Sequence, residues 1–201
     1  MWALVEDNAI TKIINKPRGM VIGDVRYSKN IFSFRWTNEE REAIGIYEIV
    51  FDNSNKKDES YYINTNQSFN YADGQVTASY GSATPKLLED RNEVNEAGEP
   101  LLDDKGNQVV TKGLKSQKKD IIKSQASGLL EPTDWYNHKA LDDATFTIPA
   151  NITTYRASVR TKSNEMETAI DNASDVSALE TLYTRNENGV RPLGEWPILE
   201  N

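Results

Sequence analysis

Apolar and polar residues alternate over the first part of the chain, in short runs separated by turn-forming residues. Such runs flank Asp7-Asn8, Gly23-Asp24 and Asp73-Gly74, and two-residue turns of this composition are typical of β-hairpins. The longer apolar run 46–51 is typical of a buried strand. The pattern therefore predicts a β-rich domain over residues 1–82.

One short helix is expected within this β-rich stretch. Thr37 is followed three residues later by Glu40, the spacing of a capping box, in which each side chain bonds the backbone N–H of the other residue. The helix is predicted to run as far as Ile44. It should end at Gly45, because glycine readily adopts the left-handed conformation of a helix cap.

An eight-residue repeat follows the strands. Residues 95–102 and 103–110 each begin with Asn or Asp, carry glycine at the fourth position and end in two apolar residues. Glycine at that position suits a positive φ, so each copy predicts a turn and a short strand. The acidic residues do not have the spacing of a calcium-binding loop. We therefore interpret residues 83–113 as an acidic, turn-rich β ribbon that links two domains.

From Gly113 onward, apolar residues recur every three or four positions, which is typical of helices. A first helix is predicted from Leu114, with Gly128 marking its end and a bend at Pro132 behind it. A second is predicted over residues 150–172. Its apolar face comprises Ile152, Tyr155, Val159, Met166 and Ile170.

A third helix should be capped by Asp175, and the two prolines of the tail 192–198 predict an extended segment. Residues 114–201 are thus expected to form a small helical domain with an extended C-terminal tail. The fold class that follows is α+β, with a β-rich domain, a ribbon and a helical domain in chain order.

The chemistry of the side chains argues against an enzyme. There is no Cys and a single His, His138. This excludes disulfides and thiolate sites and leaves almost nothing for multi-histidine metal centres or nucleophile–histidine triads. No glycine-rich phosphate loop occurs in the sequence. We expect no catalytic residues, no metal and no cofactor.

The net charge and the targeting signals limit the classes of partner and the compartment that we expect. The net charge is −8, so bulk charge should keep the chain away from nucleic acid and anionic membranes. Neither a signal peptide nor an apolar run of membrane-spanning length is present, and we expect synthesis in a cytoplasm. The lysine-rich segment 112–123 has three interpretations: a solvated helix face, a face for RNA or DNA, or a partner for acidic groups, including residues 89–104 of this chain.

Aromatic residues next to prolines are the strongest candidates for a contact surface. Trp135, Tyr136 and Trp196 lie in segments that the prolines predict to be non-helical. Tyr and Trp combine apolar area with a polar group and are frequent interface anchors. The alternative is that they seal a small helical core.

Residues 126–135 (Ala-Ser-Gly-Leu-Leu-Glu-Pro-Thr-Asp-Trp) resemble the R-x-x-L-L-x-x-T-D-W signature of tail assembly chaperones and tail fibre assembly proteins of tailed bacteriophages. In that family a proline follows and then Y-R-x-x-L-R. Here Pro149 and residues 155–160 (Tyr-Arg-Ala-Ser-Val-Arg) stand in the same order, and Trp196-Pro197 matches the family's frequent terminal W-P. The resemblance covers residues 114–197, with Ala126 and Val159 in place of the signature's Arg and Leu. The N-terminal half resembles small proteins of marine phages.

This resemblance implies a non-enzymatic structural or assembly protein that acts at the tail or tail fibre of a virion, after synthesis in the cytoplasm of a bacterial host. Two alternatives stay open: a dedicated chaperone absent from the mature particle, and a receptor- or carbohydrate-binding tail protein. Expected partners are other tail or tail fibre proteins, with a homo-oligomer as a further option and with neither nucleic acid nor membrane. The residues expected at a shared partner contact are Trp135, Tyr136, Tyr155, Arg156, Trp196 and Pro197.

Overall fold

The computed structural model describes residues 1–200 and has the predicted α+β fold. The chain divides into two compact units, Met1–Thr84 and a second unit that starts at Pro85. The strands are β1 (Trp2–Glu6), β2 (Ala9–Ile14), β3 (Met20–Ile22), β4 (Val25–Tyr27), β5 (Ile46–Asp52), β6 (Tyr62–Ile63), β7 (Ser68–Ala72), β8 (Gln75–Ser79), β9 (Thr84–Pro85), β10 (Arg91–Asn92) and β11 (Val110–Thr111). The α-helices are α1 (Asn38–Glu42), α2 (Leu114–Leu130), α3 (Asp134–Asp142), α4 (Ala150–Asp171) and α5 (Val176–Tyr183).

A five-stranded sheet of order β2-β1-β5-β8-β7 forms the centre of the first unit. Strands β5 and β8 run parallel, whereas the other neighbours are antiparallel. The edge strands β2 and β7 approach each other, so the sheet curls into a half-barrel. Its two faces carry separate apolar clusters, one around Val76 and Ile49 and the other around Ile14 and Ile46.

The three predicted hairpins of this unit are confirmed. Asp7 and Asn8 have φ of 51° and 60°, and Asp73 and Gly74 have φ of 51° and 74°. Positive φ at both central residues is the type I′ turn, whose twist matches that of the flanking strands. The third hairpin, β3–β4, turns at Gly23 and covers the Ile14–Ile46 side of the sheet with Met20.

The capping box of α1 is also confirmed. Thr37 Oγ1 accepts from the Glu40 N–H at 3.2 Å, and Glu40 Oε2 accepts from the Thr37 N–H at 2.8 Å. The helix ends at Glu42, somewhat before the predicted end, and Gly45 has a φ of 80°. A Cβ at Gly45 would lie 2.6 Å from the Val5 carbonyl oxygen, so close approach to β1 demands glycine there.

We expect Thr37→Ala to destabilise the first unit by about 1 kcal/mol, the usual contribution of an N-cap hydroxyl. The reason is that the Glu40 N–H would lose its acceptor in the first turn of α1. Urea denaturation measures the change, followed by the fluorescence of Trp2 and Trp36 in a chain that also carries Trp135→Phe and Trp196→Phe. Thr37→Ser keeps the hydroxyl and serves as the control, and equal midpoints for the two variants would contradict this role of the cap.

The C-terminal unit corrects the prediction that a helix ends at Gly128. Helix α2 continues to Leu130, and a single 3₁₀ turn, Glu131–Thr133, connects it to α3. Pro132 is the second residue of this turn, where its missing N–H removes no hydrogen bond. The predicted bend is therefore a helical elbow, and Trp135 and Tyr136 lie on a helix. Helices α4 and α5 lie where the sequence predicts them, with Asp175 capping α5 through the Ala178 N–H.

The segment predicted as a linker belongs to the second unit, because its first residues build the start of α2. The Leu87 and Leu88 carbonyls accept from the N–H groups of Leu114 and Lys115 at 2.8 and 3.1 Å. Asp90 accepts from the Gly113 N–H at 2.8 Å, and this hydrogen bond is the main cause that lowers the pKa of Asp90. These contacts cap the helix from a distance in sequence.

Both repeat copies form the predicted turns. Asn95 Oδ1 accepts from the Ala97 and Glu99 N–H groups at 2.9 Å each, and Asp103 Oδ1 makes the equivalent pair of bonds. Gly98 and Gly106 both have a φ of 81°. A third turn of the same form occurs at Asn186, with Gly189 at a φ of 74°; sequence reasoning missed it because no second apolar residue follows Val190.

Candidate functional site

Four of the six candidate contact residues, Trp135, Tyr136, Tyr155 and Arg156, lie at or beside the elbow between α2 and α3. Arg156 reaches this elbow from α4 with only 7% of its surface exposed. One terminal nitrogen donates to the Leu130 carbonyl at 2.9 Å and to Thr133 Oγ1 at 2.5 Å, and the other donates to Asp134 Oδ1 at 2.7 Å. The planar guanidinium thus holds three residues of the elbow at once, which suits its fork of donors. Arg156 acts inside the fold and is not free for the predicted partner contact.

Tyr155 supports the same elbow from the neighbouring position on α4. Its hydroxyl donates to the Leu129 carbonyl at 3.3 Å, and its ring is partly buried. This bond and that of Arg156 satisfy two carbonyls in the last turn of α2, which lack partners within the helix itself. Tyr155 and Arg156 therefore position the α2–α3 elbow as a pair.

Trp135 presents the most accessible ring of the site, with half of its surface exposed. It stacks on Tyr136 with a centroid distance of 3.8 Å, and Phe146 lies 6.3 Å from both rings. Lys139 Nζ lies 4.3 Å from the centre of the Phe146 ring. The three rings form an aromatic cluster on α3 and the loop after it, and Trp135 is its exposed member.

Trp196 is bound to α2, and Pro197 lies beside a cavity lined by α4. The Trp196 indole N–H donates to Gln125 Oε1 on α2 at 3.0 Å. Leu193 is 3% exposed, and its N–H donates to the Leu182 carbonyl. The tail is non-helical as predicted, but it is not extended throughout: a turn closes at its start, where the Gly194 N–H donates to the Arg191 carbonyl at 2.9 Å. However, the two tryptophans expected at one surface have separate partners, since Trp135 stacks within the aromatic cluster and Trp196 binds α2.

A shallow cavity of about 630 Å³ lies beside this tail. Pro197 and Glu195 border it on one side, and short or hydroxyl-bearing residues of α4 border it on the other, with Lys162 and Glu165 at its end. The Lys162 and Glu165 side chains pair at 3.4 Å. The cavity is open to solvent.

The lysines of segment 112–123 form ion pairs or a ring contact with other residues of the second unit. Lys115, 9% exposed, donates to Glu89 at 2.5 Å and to the Asp171 carbonyl at 2.9 Å. The remaining members pair with carboxylates or an aromatic ring: Lys112 with Asp120, Lys119 with Asp171, Lys123 with Glu167, and Lys118 over Tyr183. This arrangement matches the third interpretation, in which the lysines pair with acidic residues of the same chain, and Glu89 is one of those residues.

Two of these pairs also raise the pKa of their lysines. The hydrogen bond between Lys112 and Asp120 raises the pKa of the lysine and lowers that of the carboxyl group. The hydrogen bond from Lys119 to Asp171 likewise raises the pKa of Lys119. Each shift favours the charged forms, so the lysines stay charged and engaged at neutral pH.

Among residues 1–200, no group of three or more His, Asp or Glu side chains is placed to hold a metal ion. Over the same residues, no helix combines the length and apolar character needed to cross a membrane.

Sequence reasoning missed Phe146 and Gln125 as parts of the site. Phe146 lies in an irregular loop, so no periodicity marks it. The one local signal is Asp143, whose carboxylate accepts from the Thr145 N–H at 2.9 Å and predicts a turn without predicting the ring contact. Gln125 lies within the predicted first helix, but nothing in its surroundings indicates that an indole 71 residues away binds it.

No protein-family model, no curated protein and no solved structure matches the chain.

Proposed function

We propose that this chain is a non-enzymatic structural or assembly protein of a tailed bacteriophage, acting at the tail or tail fibre through protein–protein contacts in the virion. The observation that supports it is the bond of Arg156 to Thr133 and Asp134. These residues belong to the Y-R and T-D-W segments that resemble the tail assembly family. They lie 22 and 23 residues apart in sequence and meet at one elbow.

This convergence gives the resemblance a physical meaning. Short motifs that are far apart in sequence can recur together because they hold one tertiary arrangement. Here Tyr155 and Arg156 bind the end of α2 and the start of α3, while Trp196 binds α2 from the tail. The motif residues therefore serve the fold, and Trp135 is left as the motif residue with an exposed aromatic surface.

We assign the partner contact to the aromatic cluster of Trp135, Tyr136 and Phe146. A half-exposed tryptophan on a helix, backed by two further rings, offers a rigid apolar surface at low cost in side-chain entropy. Such residues are frequent centres of protein interfaces. A structural or assembly protein would act through a surface of this kind.

Quantitative mass spectrometry of purified phage particles tests the proposal. We expect the chain among the particle's proteins, in a fixed ratio to the tail proteins. Its presence in infected cells together with its absence from particles would support a dedicated chaperone instead. Absence of tail proteins from the complexes it forms in infected cells would contradict both.

Trp135→Ala should reduce incorporation into particles while the protein stays folded. Truncation of a central interface tryptophan typically costs about 2 kcal/mol or more, roughly a thirtyfold loss of affinity. The measurement is the amount of variant per particle, with circular dichroism to establish folding. Lys57→Ala, at an exposed position of the first unit, is the control, and equal incorporation of the two variants would place the contact elsewhere.

A further inference from the structure

Basic residues are concentrated in one segment of this acidic chain. Residues 12–35 hold six Lys or Arg against one acidic residue, Asp24, although the whole chain has a net charge of −8. All six are exposed. They are Lys12, Lys16, Arg18, Arg26, Lys29 and Arg35.

The fold brings most of these residues together around the β3–β4 hairpin. Val21 pairs with Arg26 across the hairpin, so the two side chains share its outer face. A Cβ at Gly19 would lie 3.3 Å from the Tyr27 carbonyl and 3.9 Å from the Lys29 nitrogen. This close approach places Arg18 and Lys29 next to one another at the base of the hairpin.

An exposed phenylalanine stands in the loop after this hairpin. Phe34 is 94% exposed, yet the loop that carries it is fixed by Arg41, which donates to the carbonyls of Ile31 and Trp36 at 3.2 and 3.0 Å. Trp36 in turn packs edge-on against Tyr27 of β4, with 6.2 Å between ring centres. The structure therefore holds Phe34 in solvent. We call Arg18, Val21, Arg26, Lys29, Phe34 and Arg35 the basic hairpin face.

The cations of this face are not engaged within the protein. Among residues 1–200, Arg18, Arg26, Lys29 and Arg35 form no ion pair. The lysines of α2, in contrast, all have a carboxylate or ring partner. Unpaired cations beside exposed apolar groups are typical of a surface that binds an acidic, partly apolar partner.

The second unit offers a surface of that chemistry. Residues 93–104 hold five acidic residues and no basic one. Glu96 and Asp104 occupy equivalent, exposed positions in the two repeat turns, beside Val94 and Leu102, which are 57% and 55% exposed. The Gln108 side chain fixes the turns by donating to the Glu93 and Leu101 carbonyls at 2.7 and 3.1 Å. We call Val94, Glu96, Leu102 and Asp104 the acidic ribbon face.

We infer that copies of this chain associate head to tail, with the basic hairpin face of one copy bound to the acidic ribbon face of another. Each face combines unpaired charge of one sign with exposed apolar side chains, so the pair is complementary in both respects. A polyanion such as nucleic acid fits less well, because it would extend beyond the hairpin to the acidic remainder of the chain and would leave Val21 and Phe34 without an apolar partner. An interface between two different faces propagates into a ring or a filament.

Analytical ultracentrifugation of the purified full chain tests the inference. The mass should rise above that of one chain as concentration increases, and it should fall as NaCl is raised from about 50 mM to about 500 mM, because salt screens charge pairs. Two variants separate the faces: Arg26→Glu with Lys29→Glu on the hairpin, and Glu96→Lys with Asp104→Lys on the ribbon. Each alone should weaken self-association at least about tenfold.

Mixing the two variants provides the decisive result. Each retains one intact face, and the two altered faces are opposite in charge to each other, so an equimolar mixture should regain the self-association that each variant lacks alone. Lys57→Glu with Glu187→Lys, at exposed positions outside both faces, should associate like the unmodified chain. A single-chain mass at all concentrations, or a mixture that stays dissociated, would overturn the inference. So would salt-sensitive binding of a mixed-sequence single-stranded oligonucleotide by a chain that does not self-associate.

Discussion

Arg156→Ala should destabilise the second unit by about 3 kcal/mol and lower its melting temperature by roughly 10 °C. The substitution removes the donors to the Leu130 carbonyl, to Thr133 and to Asp134 together. Thr133 is 4% exposed, so its hydroxyl oxygen loses its donor where water has little access, while the Leu130 carbonyl keeps the bond from the Thr133 hydroxyl at 2.7 Å. The side chain of Asp134 is 48% exposed and becomes hydrated, which keeps the cost below that of a fully buried ion pair.

The helical circular-dichroism band reports this unit, since four of the five α-helices within residues 1–200 lie in it. Arg160→Ala is the matched control one turn later on α4. Arg160 is exposed, and within residues 1–200 its guanidinium donates one hydrogen bond, to the Arg156 carbonyl at 3.4 Å. Arg156→Lys should recover part of the stability, because a single ammonium cannot bond Thr133 and Asp134 in the geometry of the fork. Equal melting of Arg156→Ala and Arg160→Ala would show that the elbow does not depend on this side chain.

Local signals in the sequence predict much of the fold. The turns at Asp7-Asn8 and Asp73-Gly74 and the capping box at Thr37 depend on residues close in sequence, so composition reveals them. The period of apolar residues likewise locates α4 to within one residue of its end. What these signals cannot predict is the order β2-β1-β5-β8-β7, because the parallel pairing of β5 with β8 depends on contacts between distant segments.

The candidate site was harder to predict for a specific reason. The buried positions of α4 alternate in steps of four and three, through Ile152, Arg156, Val159, Ser163, Met166 and Ile170. Apolar periodicity finds four of these residues and assigns Tyr155 in place of Arg156, since an arginine is normally expected in solvent. Only the acceptors provided by the elbow make a buried guanidinium favourable.

The aromatic residues show the same limit. Prolines near Trp135 and Trp196 predict non-helical segments, and this holds for the tail but not for Trp135, because Pro132 begins a helical turn instead of ending one. The interface and core interpretations of these tryptophans were equally compatible with the sequence. In the structure the two tryptophans differ: Trp196 donates a hydrogen bond to Gln125, whereas Trp135 keeps half of its surface exposed.

Val159→Asp should unfold the second unit or come close to it. Val159 is fully buried on α4, in the same row as Met166 and Ile170, which are also fully buried. A carboxylate at this fully buried position would be an unpaired charge shielded from water, which costs several kcal/mol. That is on the order of the whole stability of a small domain, about 5–15 kcal/mol. The helical circular-dichroism band should therefore be largely lost at temperatures at which the unmodified chain is folded.

Ala157→Asp provides the matched control, with the same new charge two residues earlier on the exposed side of α4. There the carboxylate is hydrated, and the cost is limited to helix propensity, about 0.7 kcal/mol. The first unit should persist in both variants, so the β-sheet circular-dichroism signal reports a folded remainder. Similar melting of the two variants would mean that the buried row of α4 runs through other residues. Because Arg156 lies in that row, such a result would also remove the basis for the elbow and for the exposed position of Trp135.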